Sequence, residues 1–363
     1  MKKVITSVVA FAVVALMAFG YMTALEHAAH KSEGEGKLDP KELIFEHLGD
    51  AYGWELPFSH SNRIPLPIIV IDDQNTPHCF LSSAVQHGES CDGFYIAHEG
   101  EYKGKVVGKN AEGKEYRPID LSITKNVAGI LIAAFLVVVM VMKVRSWYKK
   151  NGMKAPRKFT AALEMVVDFV YVGTIRPIMG KEAPKYAPYL LTVFFFILTM
   201  NLLGLIVIFP GGANLTGNLS VTLVLAVLTF LVTNLTGNKE YWKELFWPDV
   251  PMGLKFPIPL MPVIEIFGVF TKPIALMIRL FANMMGGHMV VIVFTLLIFI
   301  FGAYGVAIGA ATSVFSLAFS LFMLLLDTLV SFIQAYVFTI LSTMFIFMAH
   351  PVHHGAEHNE ISE

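Results

Sequence analysis
Two apolar stretches, from about Pro257 to Ile300 and from about Ala310 to Ala349, constrain this chain more than any other feature. At ~1.5 Å rise per residue each would run roughly 60 Å as an unbroken helix, about twice the ~30 Å hydrocarbon core of a bilayer. Upright helices of that length would carry apolar side chains far into water. Each must break into two spans or lie steeply tilted. Pro273 could kink the first, but no charged or polar loop interrupts either stretch, so steep tilt is expected. The glycine-rich stretch from Gly302 to Gly309 makes the turn between them.

Composition agrees. Of 363 residues 55% are hydrophobic and only 15% charged, which excludes an ordinary soluble domain pair and reads as a polytopic membrane protein. A net charge of −1 argues against nucleic acid as a partner. Three shorter apolar stretches, about Ser122 to Met142, Pro188 to Phe209 and Leu219 to Leu235, bring the expected number of transmembrane helices to about five in an all-α membrane part, 122–350. The first is followed by Lys143, Arg145, Lys149, Lys150, Lys154, Arg157 and Lys158, so it ends in the cytoplasm by the positive-inside rule. The turn from Pro210 to Gly217 has no Lys or Arg and lies outside, whereas the loop with Lys239, Lys243 and Lys255 lies inside. The histidine-rich tail, 351–363, then ends in the cytoplasm. Between the first two spans, Phe159, Ala162, Leu163, Val166, Val167 and Val170 recur at helical spacing opposite Glu164 and Asp168. That pattern fits an amphipathic helix on the membrane surface, and packing against other helices fits it equally.

The front of the chain is different. Lys2 and Lys3 precede an apolar run from Val4 to Phe19 and small residues near Ala24, the layout of a signal peptide over 1–24; an uncleaved anchor is the alternative. Either one exports the adjoining segment, 25–121, which is polar, with seven of the twelve histidines and short β-leaning runs at Pro65 to Ile71 and Gly93 to Ile96. The histidines lack the spacing of a zinc site, so no metal is expected. Cys79 and Cys91 are the only cysteines and allow one disulfide in an oxidising compartment, with free thiols as the alternative.

The chemistry lies in the long stretches. Arg279 sits with roughly ten apolar-dominated residues on each side and cannot lose its proton. Snorkelling is one outcome; a partner, a cavity or an ion path is the other, and the flanks favour the second. Asn283 lies one turn beyond it, whereas His288, nine residues on, lies roughly on the opposite face. His288 could carry protons or merely pack. Glu265 and Lys272 complete the ionisable set. On the last stretch Ser313, Ser316, Ser320, Asp327, Ser331 and Gln334 share one helical stripe. Serines alone are ordinary interhelical glue, but a carboxylate in that setting is a candidate for proton exchange. If Asp327 serves a proton path, the counter-charge for Arg279 must come from a partner subunit.

At this point Lys272-Pro273, the run Arg279-Leu-Phe-Ala-Asn283-Met, and the run Gln334-Ala-Tyr-Val-Phe338 resemble the subunit a family of F-type rotary ATP synthases, with weaker support from the run Met200-Asn201-Leu-Leu-Gly204. The resemblance covers roughly Asp120 to His350. It implies a non-catalytic, proton-translocating stator subunit without cofactor, held in the bacterial inner membrane beside a c-ring of proteolipids and the b-subunit peripheral stalk. It further implies two aqueous half-channels with Arg279 as the barrier between them. By position, Asn283, His288, Asp327 and Gln334 fall on the inlet side and Glu265 on the outlet side, with Asn201 and Ser331 also on the path. The family often has an acid where this chain has His288 and a His or Glu where it has Asp327, so a basic and acidic pair is kept with positions exchanged. A different class, an autonomous secondary transporter holding an anion at Arg279, would show inverted repeats, and none is found.

Overall fold
The computed structural model describes residues 49–350 apart from 56–62, 86–89, 98–99, 101, 110–114, 153, 158, 207–211, 247–259 and 303–305. The expected signal peptide and the C-terminal tail lie outside the described residues. Five helical runs are long and apolar enough to cross a membrane: Lys125–Asn151, Phe159–Leu205, Leu219–Thr236, Val263–Ile298 and Ala311–Met348. The chain is thus an all-α polytopic membrane protein with a small β-rich piece in front. It divides into two compact units, one from 1–136, 200–215 and 284–329, the other from 137–199, 216–283 and 330–363.

The first unit opens with the β-rich piece. Strands β1 (Gly53–Glu55) and β2 (Arg63–Pro65) form an antiparallel pair. Strands β3 (Pro67–Ile71) and β4 (Pro77–Leu81), with β8 (Ile119–Asp120), make an antiparallel sheet in the order β4-β3-β8. Strands β5 (Phe94–Ile96), β6 (Val106–Lys109) and β7 (Glu115–Tyr116) make another. The alternation in β3 puts Ile68 and Val70 inside, where they pack with Tyr52, Val85, Phe94 and Val106. Asp92 and Gly93 both take positive φ, 51° and 82°, in the tight turn that leads into β5.

Cys79 and Cys91 are free thiols. The expected bond is not formed, and strand parity gives the reason. His78 and Phe80 of β4 turn toward Phe94, so Cys79 between them points to the other face of the sheet. Cys91 packs on the core side, against the same cluster as Phe80.

This piece is sewn to the first long helix, α1 (Lys125–Asn151). Leu121 N–H donates to Ile69 O at 2.9 Å, Ile123 N–H to Pro67 O at 3.1 Å and Lys125 N–H to Ala51 O at 2.9 Å. The Asp50 carboxylate accepts from Asn126 N–H at 3.1 Å, a negative charge on the otherwise unpaired donors of a helix N-terminus.

The second unit holds residues 137–151 of α1, most of the 159–205 run, and α4 with α5. Helix α2 (Phe159–Val170) is joined to α3 (Ala183–Leu205) without a loop, through a π turn at Tyr171–Ile175, a short α turn at Arg176–Met179 and a 3-10 turn at Gly180–Glu182. Gly180, at φ 54°, supplies the redirection a side chain would resist. Pro188 is therefore inside α3 and does not begin it. Tyr148 of α1 donates to the Glu164 carboxylate of α2 at 2.6 Å. Helix α4 (Leu219–Thr236) is capped by the Asn218 side chain, which accepts from Ser220 N–H at 2.9 Å. Helix α5 (Lys239–Phe246) follows at once.

The last two helices, α6 (Leu260–Gly302) and α7 (Val306–Met348), are 43 residues each. Neither is broken, and Pro273 is taken up inside α6. Each is roughly 65 Å long at ~1.5 Å per residue, so two spans per stretch are excluded.

Candidate functional site
Arg279 lies on the outer row of α6. Ala275, Ile278, Arg279, Ala282, Asn283 and Gly286, at the three- and four-residue steps of one helix face, are all exposed. Ile274 and Ile278 beside Arg279 are 48% and 51% exposed, so this cation stands on an apolar face. It makes no ion pair with any described residue. A permanent charge in an apolar setting is stabilised by a counter-charge or by water that reaches it.

His288 points the other way. It is 9% exposed, and its Nε2 is buried with no hydrogen-bond partner. Within the same unit Gly204 of α3 lies against it: a Cβ there would stand 3.6 Å from His288 Nε2 and 3.4 Å from Met284 Cε, in ordinary contact. Asn201, one turn before Gly204, is fully buried. Gly287 makes room for Asp327. A Cβ on Gly287 would come within 2.7 Å of Asp327 Cγ and 2.8 Å of its Oδ2, so the carboxyl rests directly against the α6 backbone. Sequence reasoning missed Gly287; the Gly286-Gly287 pair just before His288, inside a helical run, was the available signal.

The polar stripe of α7 faces inward. Ser316, Ser320, Asp327, Ser331 and Gln334 are all buried, and only Ser313 at the near end is half-exposed. Ser316 Oγ has no hydrogen-bond partner. The threonines beyond are satisfied locally: Thr339 donates to Ala335 O and Thr343 to Thr339 O, at 2.8 and 2.7 Å.

In the second unit Glu265 lines a cavity of about 170 Å³ with Thr233, Asn234, Tyr241, Lys272 and Phe345 among its walls. The Lys272 ammonium stands 5.7 Å from the centre of the Phe345 ring. Among the described residues no group of His, Cys, Asp or Glu could hold a metal ion.

Of the residues expected at the inlet, His288 and Asp327 are buried in the first unit, Gln334 is buried in the second, and Asn283 shares the exposed row of Arg279. A buried imidazole nitrogen and a buried serine hydroxyl without partners are groups that water can serve. The cation on the outer row is what a docking charge requires.

Comparison with known proteins bears on both regions. Residues 43–121 match a family described as a domain of unknown function (DUF8433), and residues 127–347 match the family described as ATP synthase A chain. The chain is 42% identical over 237 residues, 65% of each chain, to ATP synthase subunit a 2 of Chlorobaculum tepidum. It is 39% identical over 244 residues to ATP synthase subunit a of Pelodictyon phaeoclathratiforme, covering 67% of this chain and 69% of that one. It is 41% identical over 255 residues to ATP synthase subunit a of Myxococcus xanthus, covering 67% and 79%. The chain thus spans about two thirds of the length of the first two relatives. Since the stretch 127–347 is more than half of its 363 residues, the chain belongs to the ATP synthase A chain family.

Proposed function
We propose that this chain is the ion-conducting stator subunit of a rotary ATP synthase membrane sector, working beside a rotating ring of proteolipid c subunits and a b-subunit stalk. The observation that carries the reading is Arg279, a fixed cation on an exposed apolar row with no described partner. A ring carboxylate passing that row would lose its proton and pair with the guanidinium. A free proton attempting to cross would be repelled by it. Arg279 then separates two water-filled half-channels. The outer one runs by His288 and Asp327, where Gly287 leaves room for the carboxyl, Gly204 lies against the imidazole, and partnerless Nε2 and Ser316 Oγ are ready for water. Asn201, Ser331 and Gln334 continue it as hydrogen-bonding walls, and Asn283 meets the ring beside Arg279. The inner half-channel opens at the cavity lined by Glu265. The chain itself makes or breaks no covalent bond and needs no cofactor.

In this reading 1–24 is the export signal, 25–121 an extracytoplasmic module, 122–350 the channel and 351–363 the cytoplasmic tail of a bacterial inner-membrane protein, with α6 and α7 steeply tilted and α2 at the membrane surface. An autonomous transporter with an anion site at Arg279 would enclose that cation in a concave pocket, and its exposure argues against this. The test is Arg279→Ala in the assembled complex in inverted vesicles. ATP-driven proton pumping is expected to vanish while the chain still co-purifies with the ring; normal coupled pumping in that variant overturns the reading.

A further inference from the structure
The inner cavity has a wall that the ion path just described does not use. Tyr241 on α5 reaches it from the cytoplasmic loop side, and its hydroxyl donates to Asn234 Oδ1 at 3.1 Å. Asn234 is held in turn, its Nδ2 donating to Phe230 O at 2.8 Å, so its carbonyl has one orientation. Gly237 seats the ring: a Cβ there would stand 2.8 Å from Tyr241 Cδ1. The corner is pinned to the end of α7 by Asn238 N–H, which donates to Ala349 O at 3.0 Å. Thr233 also lines the cavity, is 8% exposed, and its Oγ1 is buried without a hydrogen-bond partner. A space of about 170 Å³ with an unsatisfied hydroxyl and two charged side chains holds water well. Burial, with the Glu265 charge second, pushes the Tyr241 hydroxyl above its ordinary value, so it stays a donor.

We infer that Tyr241 is a positioning residue for the inner ion path: fixed by Asn234 and seated on Gly237, it forms the wall against which Glu265 passes its proton to cavity water. The step balances simply. The Glu265 carboxyl gives its proton to water and becomes a carboxylate, and the next proton arriving from the ring restores it. Lys272 on α6 is the other charged group lining the cavity, α4 contributes Phe230 and the neutral polar Thr229, Thr233 and Asn234, and α7 contributes Phe345 and Met348. The inference rests on the stator reading and goes beyond it, because nothing in that reading requires a residue on α5.

The test is a double-substitution cycle in the intact complex, with ATP-driven pumping in inverted vesicles and co-purification of the subunits as readouts. Tyr241→Phe keeps the ring and removes only the hydroxyl. It should lower pumping about fivefold, the scale of one lost hydrogen bond, with assembly unchanged. In a Glu265→Gln background the same substitution should change pumping little further. If Glu265→Gln alone leaves no measurable pumping, Glu265→Asp serves as the background, and its shorter carboxylate should show a smaller Tyr241→Phe effect than the native chain. No loss in the native background, or an equal fold-loss in both, overturns the inference. Arg279→Ala separates the two claims: coupled pumping in that variant defeats the stator reading whatever Tyr241 does, whereas loss of pumping there leaves the Tyr241 cycle to be judged alone.

Discussion

Helices α6 and α7 have the same length and nearly the same apolar content, yet the Arg279 row of α6 and the Asp327 stripe of α7 face opposite ways. Helix α6 turns Arg279 and Asn283 outward among exposed isoleucine and alanine, while α7 turns Ser316, Ser320, Asp327, Ser331 and Gln334 inward. An outward charge on an apolar row needs a counter-charge from another molecule. An inward polar stripe needs water or hydrogen bonds of its own chain. The contrast teaches that a membrane helix can be polar for two reasons, and that only side-chain direction tells them apart.

Breaking the outward half of this contrast should cost most. Arg279→Ala should reduce coupled pumping by at least ~100-fold, the scale of losing a preorganised charge, and Arg279→Lys should not restore it, because a compact ammonium replaces a planar fork. Pumping at native rates with lysine would mean that charge alone is needed. The inward half should be less sensitive. Asp327→Asn should slow pumping about tenfold, less than the ~100-fold or more of a group that transfers the proton alone, while leaving assembly intact. Unaltered proton flux would remove Asp327 from the path.

Gly287→Ala sharpens the inward half, since it tests how closely the carboxyl approaches α6. The added methyl meets Asp327 Cγ at 2.7 Å and should destabilise the chain by ~1–3 kcal/mol. Combining it with Asp327→Ala should recover most of that loss in a thermal-unfolding measurement. If the double variant is no more stable than Gly287→Ala, the two residues are not in contact.

The smallest effect belongs to the β-rich front, which serves as the control. Tyr116 donates to Asp72, and that bond, ahead of the Asp73 N–H, holds the Asp72 carboxyl below its ordinary value. A depressed carboxyl contributes stability that is present above its unfolded pKa of about 3.9 and is lost as pH falls through the lower folded value. Tyr116 itself is pushed up to about 12, first by burial and then by Asp72, so it remains a donor throughout. Protease resistance of residues 49–121 in the full-length chain should thus fall less steeply below about pH 4 in Tyr116→Phe than in the native chain, with pumping unchanged. Identical acid profiles would remove the bond as a contributor.

The spans were legible because hydropathy over about twenty residues is a coarse, robust quantity. So were the two long helices, whose lack of polar interruption already argued against breaks. The 3.6-residue period also separated Arg279 from His288. What the sequence could not carry was direction relative to neighbours. The apolar stretch is bounded at Pro188, yet the helix begins at Ala183 and takes that proline inside it. The two cysteines fitted a single disulfide by count, but strand parity puts them on opposite faces, a fact that depends on where β4 begins. Gly287 was invisible because its meaning lies in Asp327, forty residues away.

Backbone and side-chain hydrogen bonds from Leu121, Ser122, Ile123, Lys125 and Asn126 tie the β-rich front to the segment that becomes α1, the last of them at the second residue of the helix. With so few residues between Asp120 and Lys125, and those already bonded, there is no slack in which the front could swivel. Whatever grips the front would be pulling on the first span as well, so the front acts as a rigid handle on that span.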